Sequence, residues 1–391
     1  MVSVCSRARV CACALTLLLG GLLTQPAAGQ PSSLSPQSEI TLITILPGDP
    51  VHAFAGHSAV RVRDPVQNLD RLYNYGTFSF NDTLFIPKFT YGDLRYYLSV
   101  GATPPMLRFY RRRERPVIEQ ALNLSQAQRT RVYQFLVRNA RPENRYYQYD
   151  FFFDNCSTRI RDVLTSTLGT NVDFSGVPPP QRTFRQMLDS LVAPRPLLDL
   201  GFDLALGLPA DRTPSRQEVM FLPEHLMQAF NEASVTINGT QKPLVARTDT
   251  VHWIPQYDAT TPAFDWPFAV SLALLLLTMG WTAGQALRGT PPGGLGDALL
   301  LLVPGIIGIG ACYLWFISTY DVTTYNLNLL WAWPTHLYAT YMLLRRPWNP
   351  GLRRYLAAST LGAVLFILGW PAWPQDLHPV VLPLVAAIGL R

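Results

Sequence analysis

The chain has 391 residues, 48% of them hydrophobic and 15% charged, with a formal net charge of +6. So apolar a composition excludes a disordered chain. No nucleic-acid-binding motif accompanies the positive charge, so no nucleic acid is expected as a partner. Residues 1–29 read as a secretory signal: Arg7 and Arg9 precede an apolar run from Ala12 to Leu23, and Ala27, Ala28 and Gly29 suit cleavage near Gln30. An uncleaved membrane anchor, the alternative, calls for a longer apolar run. Cys5, Cys11 and Cys13 lie in or beside this leader, and Cys312 lies in an apolar segment near the carboxyl end. The exported soluble part would then carry Cys156 alone, and an unpaired thiol in an exported protein suggests chemistry.

Ile40 to Leu46 is rich in β-branched residues and stops at Pro47-Gly48, which predicts a strand and a turn. Gly56-His57-Ser58 opens a second strand, in which Val60 and Val62 alternate with Arg61 and Arg63. Leu72 to Phe80 predicts a third, with Asn74 near its middle. Residues 85–123 mix aromatics with Arg108, Arg111, Arg112, Arg113 and Arg115, a cluster that suits either a solvated face or phospholipid head groups. Ser125 to Gln128 is a capping box that opens a helix with Val132, Phe135 and Leu136 inward.

An aromatic run from Tyr146 ends at Asp154-Asn155, either of which suits a helix N-cap. Cys156 then shares an inward helical face with Ile160, Val163, Leu164 and Leu168. A thiol in a first turn meets the positive end of the helix dipole, which stabilises a thiolate, and backbone N–H groups that can hold an oxyanion. A buried structural cysteine is the competing reading. Cys156 with His57 as base and Asn74 as orienting group forms the constellation of thiol nucleophilic catalysis.

Residues 169–182 are rich in Gly and Pro and suit a linker or lid. Phe184 to Leu191 predicts a short helix, Leu198 to Pro209 a loop-rich apolar stretch, Pro223 onward another helix, and Asn238-Gly239 a hairpin turn. His225 and His252 have no metal-spaced neighbours, so no metal or cofactor is expected. Trp266–Leu287, Ala298–Ser318, Leu327–Leu344, Leu356–Trp370 and the shorter Val380–Leu390 predict five membrane spans. Arg288, Arg345, Arg346, Arg353, Arg354 and Arg391 alternate with loops around Asp321 and Asp376 that lack Lys and Arg, which places the amino-terminal part outside and Arg391 inside. Asn326, Asn328 and His336 at an outer span end are expected to face a cavity or the soluble part and to help bind substrate. Trp331 and Trp333 suit interface anchors.

Gly56-His57-Ser58, Tyr73-Asn74-Tyr75-Gly76-Thr77-Phe78, Glu143-Asn144-Arg145, the segment from Tyr149 to Arg159, Phe221-Leu222-Pro223 and Asn326 to Trp331 together resemble the Lnb-type bacterial lipoprotein N-acyltransferases. The order of histidine, polar residue and Asn-Cys is also similar to circularly permuted papain-like folds (related to NlpC/P60), including lecithin-retinol acyltransferase. Those relatives often carry histidine where Asn74 stands. The resemblance implies an α+β class: a signal over 1–29, a permuted papain-like catalytic domain over 30–168, an accessory segment over 169–260, and an all-α membrane bundle over 261–391. It implies Cys156 as nucleophile, His57 as base, Asn74 as orienting group, and Asn155 and Arg159 beside the substrate. The implied partners are a phospholipid acyl donor, a diacylglyceryl lipoprotein acceptor and the bacterial inner membrane. A cell-wall peptidase or amidase, and a non-catalytic lipid-binding protein, are the alternatives.

Overall fold

The computed structural model describes residues 33–78, 83–254, 264–290, 293–345 and 349–391. The leader of residues 1–29, Phe80 and Arg346 lie outside them. Strands β1 (Glu39–Ile45), β2 (His57–Asp64) and β3 (Leu69–Thr77) form an antiparallel meander. Helix α1 (Phe85–Tyr91) leads to β4 (Arg95–Ala102), which pairs with β3. Helix α2 (Thr103–Arg112) leads to β5 (Val117–Leu122), which returns beside β1. Then come α3 (Gln126–Asn139), β6 (Tyr146–Gln148), α4 (Cys156–Leu168), β7 (Val172–Asp173), α5 (Phe184–Val192), α6 (Pro196–Ala205) and α7 (Pro223–Glu232). β8 (Ser234–Ile237), β9 (Thr240–Pro243) and β10 (Val245–His252) complete this part. The main sheet runs β10-β5-β1-β2-β3-β4-β6, and β7-β8-β9 form a small second sheet.

β1 is buried almost throughout because both of its faces are covered. Ile40 and Leu42 pack with Val132, Leu136, Ile160 and Leu164 of α3 and α4, while Ile43 and Ile45 pack with Tyr110 of α2. The Cys156 helix therefore lies on one face of the sheet and α2 on the other. The capping box at Ser125 is present as expected. Residues 85–123 resolve into two helices and two strands that their mixed composition concealed. The apolar stretch after Leu198 is helical rather than loop-rich, and Pro196 begins it in the first turn, where its missing N–H costs nothing. β10 belongs to the segment taken as accessory, so the main sheet draws an edge strand from well beyond residue 168.

In the carboxyl-terminal part, α8 (Trp266–Arg288), α9 (Leu295–Phe316) and α11 (Pro350–Gly369, continued to Ala372 by a 3-10 turn) are long and apolar enough to cross a membrane. α10 (His336–Arg345) and α12 (Val381–Gly389) have 10 and 9 residues, short of the about 20 that a spanning helix needs. The span expected over Leu327–Leu344 is a 3-10 turn at Leu327–Leu330, an irregular stretch through Pro334, and then α10. Gly308 of α9 admits this irregular stretch: a Cβ there would fall 2.1 Å from the carbonyl oxygen of Ala332.

Helix α6 joins the two parts through its carboxyl end, whose last carbonyls have no partners within the helix. Asn328 Nδ2 donates to Asp203 O at 2.9 Å, Asn326 Nδ2 to Leu204 O at 2.8 Å, and Gln375 Nε2 to Leu206 O at 3.1 Å. The fully buried Arg185 donates to Leu206 O and Gly207 O and forms ion pairs with Asp203 and Asp211 at 2.8 and 2.9 Å. Beside it, burial, followed by the charges of Asp203 and Asp199, pushes the Asp189 carboxyl up to about 8 against the pull of Arg185. A carboxyl raised in the folded state contributes stability below its unfolded value of about 4 and loses it as pH rises toward 8. Asp189→Asn should therefore raise the thermal midpoint of the detergent-solubilised protein more at about pH 9 than at about pH 5. An equal shift at both would mean that Asp189 is not held neutral at the junction.

Candidate active site

Asn155, not Asp154, caps α4. Its Oδ1 accepts from the amides of Ser157 at 2.8 Å and Thr158 at 3.0 Å, and Thr158 Oγ1 accepts from its backbone N–H at 2.8 Å. Its Nδ2 donates to Phe151 O at 2.7 Å and Phe221 O at 2.8 Å. The whole side chain is thus engaged within the chain and fixes where the helix starts. Asp154 instead forms a two-pronged ion pair with Arg159, whose guanidinium also lies 4.2 Å over the ring of Tyr147.

This cap makes Cys156 the first helical residue. Its thiol is free and partly buried. Burial pushes the thiol pKa up, but the charge and hydrogen bond of His57, the Ser58 amide and the Ser157 hydroxyl outweigh it, so the thiol lies below its ordinary value. The Ser58 and Ser157 hydroxyls, 3.1 Å apart, tie β2 to α4 beneath this pair. Gly76, with φ of +83°, is the backbone gap beside the thiol: a Cβ there would stand 3.6 Å from Cys156 Cβ and 4.0 Å from the Tyr147 hydroxyl.

The structure brings Cys156 and His57 together and places Asn74 on the sheet face of His57. His57 alternates in phase with Ala59, and Asn74 with Leu72; Ala59 and Leu72 pack in one cluster against α2. Asn74 is buried, and its Oδ1 accepts no hydrogen bond among the described residues. Asn326 and Asn328 stand at the α6 junction. His336 is buried in the membrane part, with Nε2 3.1 Å from Trp331 O and Nδ1 2.8 Å from the Tyr355 hydroxyl. None of these three touches Cys156 or His57 among the described residues.

Tyr96, Tyr110, Tyr147 and Tyr149 are the neighbours that the sequence did not single out. Burial raises each phenol above its ordinary pKa, and the Cys156 charge adds to the rise in all four. They therefore remain protonated. Two of them belong to the aromatic run from Tyr146, which was visible in the sequence only as a lead-in to the cysteine. Asp189, Asp199 and Asp203 bring carboxylate oxygens within 4.8 Å of one another, but this trio is at the α6 junction, where Arg185 already neutralises Asp203.

A thiol of this kind alkylates as a thiolate. The iodoacetamide rate at Cys156 in the native protein should begin to rise at a lower pH than for a free cysteine, and His57→Ala should move the profile up. Labelling only after denaturation would return Cys156 to a packing role.

Two family models match the chain: the Lnb N-terminal periplasmic domain over residues 32–190 and the Lnb transmembrane domain over residues 259–391. No curated protein and no solved structure matched. The first match runs from before β1 into α5, with Cys156 and His57 inside it, and the second spans α8 to α12. The chain therefore belongs to the family of Lnb-type lipoprotein N-acyltransferases, membrane proteins with a periplasmic domain.

Proposed function

We propose that the chain transfers an acyl group from a phospholipid, through a thioester on Cys156, to the amino terminus of a diacylglyceryl lipoprotein. The observation that carries this reading is the lowered thiol of Cys156, held against His57 at the start of a helix. In the first half-reaction the Cys156 sulfur attacks the ester carbonyl while His57 takes the thiol proton. The tetrahedral oxyanion collapses, the C–O bond breaks, and His57 protonates the departing lysophospholipid alkoxide. In the second, the lipoprotein amine attacks the thioester, His57 accepts the amine proton, and the sulfur leaves to restore the thiol.

The donors for the oxyanion are narrowed by the cap. The amides of Ser157 and Thr158 already point at Asn155 Oδ1, which leaves the amide of Cys156 itself, engaged with no acceptor among the described residues. The protonated hydroxyl of Tyr147, beside Gly76 and the thiol, is a further donor. The buried acceptor Asn74 Oδ1, on the His57 side of the sheet, suits a group that orients the imidazole. A cell-wall peptidase on the same fold would gain nothing from the bonds that tie α6 to the membrane part.

Intact-protein mass spectrometry after incubation with phospholipid, without acceptor, tests the scheme. An added acyl mass should appear, be released by hydroxylamine, and be absent in Cys156→Ala. His57→Ala should lower transfer by at least about 10²-fold, and Asn74→Ala by less, at unchanged membrane level. Full transfer by Cys156→Ala would refute the covalent route.

A further inference from the structure

Helix α1 has seven residues, none of them buried. Ile86 is 65% exposed, Leu84 at its N-cap 55%, and Phe89 and Tyr91 each 44%. Ile86 and Phe89, three residues apart, share one face of α1, and large apolar side chains exposed together mark a contact with something apolar. The surroundings of α1 identify it. The Thr319 amide donates to Tyr91 O at 2.8 Å, and the Thr90 hydroxyl stands 3.4 Å from the hydroxyl of Tyr313, in the last turn of α9. Gly92, with φ of +91°, lets the chain come so close that a Cβ would fall 2.2 Å from Thr319 Oγ1. Phe316 and Ile317, 70% and 55% exposed, continue the apolar surface of α9 to the same level. α1 thus lies at the depth where a membrane-crossing helix ends.

The other side of α1 leads inward. Phe85 stacks on Phe78 at 5.6 Å, Phe78 meets Tyr96 at 4.9 Å, and Tyr96 stacks on Tyr149 at 4.1 Å. Tyr96 and Tyr149 are two of the four tyrosines that feel the Cys156 charge. An aromatic row therefore leads inward from the exposed helix to Tyr149, which packs against the same core cluster as Cys156.

We infer that α1 is immersed in the periplasmic leaflet, at the boundary of head groups and acyl chains, and that the aromatic row behind it guides a phospholipid acyl chain to Cys156. The delivery step rests on the acyl transfer proposed above; the immersion of α1 does not. An interfacial helix needs only apolar side chains at the right depth, and here the span beside it supplies the depth.

Ile86→Cys, in a chain otherwise freed of cysteine, is labelled with an environment-sensitive fluorophore and reconstituted into vesicles of phosphatidylethanolamine and phosphatidylglycerol. The same label at Val66→Cys, 66% exposed between β2 and β3, serves as the aqueous reference. Emission from position 86 should be blue-shifted relative to position 66 and quenched by acyl-brominated phospholipid, not by iodide. Iodide quenching equal to that at position 66 would overturn the immersion. For delivery, Ile86→Glu combined with Phe89→Glu should lower thioester formation from vesicle phospholipid at least tenfold, while acylation by soluble p-nitrophenyl butyrate stays unchanged. Undiminished loading from vesicles would overturn it. If the double variant also loses the soluble reaction, its fold is damaged and the labelled chain decides. If the native chain forms no thioester with either donor, the acyl transfer itself fails, and the label still decides the position of α1.

Discussion

The active site depends on one amide side chain. Asn155 Oδ1 fixes the first turn of α4 through two backbone amides, and its Nδ2 holds the carbonyls of Phe151 and Phe221. A cap of this type contributes about 1 kcal/mol, a small fraction of what the core supplies. Its larger effect is geometric. It sets Cys156 at the first helical position, against His57 and the Ser58 amide, and it occupies the helix amides of Ser157 and Thr158. It also ties the cysteine helix to the segment just before α7, so that the start of α4 cannot shift without moving Phe221.

The position of that site relative to the membrane is set by a second group of amides. Asn326, Asn328 and Gln375 satisfy the carbonyls at the end of α6. Such carbonyls, once buried, are costly to leave unpaired, at about 1–3 kcal/mol each. The periplasmic domain is therefore held to the membrane domain by specific bonds in addition to the covalent linker before α8. This docking, together with the bonds between Tyr91 and Thr319, sets α1 and the start of β4 beside the end of α9.

One arginine of the basic cluster at the end of α2 takes neither of the uses expected of it. Arg115 turns inward and donates to Leu46 O at 2.8 and 3.1 Å. Arg108, Arg111, Arg112 and Arg113 remain exposed, Arg113 over the ring of Phe109 at 4.2 Å. Three of these four extend from the opposite face of the sheet to α4, where a solvated charge is compatible with the apolar layer beneath it.

Much of the periplasmic half was legible in the sequence because its signals are local. The alternation in β2, the capping residues before Gln126 and Cys156 and the helical period after Cys156 are each carried by a few neighbouring residues, and the unpaired state of the thiol by a count of the cysteines. From these the thiol, its helix position and the histidine strand follow, and the run of apolar segments marks the membrane part. Tertiary structure decided the rest. The mixed composition of residues 85–123 concealed α1, although α1 approaches both α9 and the site. β10 pairs with a strand remote in sequence, which no local period reports. Asn326 and Asn328 read as polar residues bound for a cavity or the soluble part, and only α6, with the carbonyls that they cap, decides between the two. A pattern within one segment can show which of its faces is buried. It cannot show which distant backbone groups will need a partner, because those are set by packing.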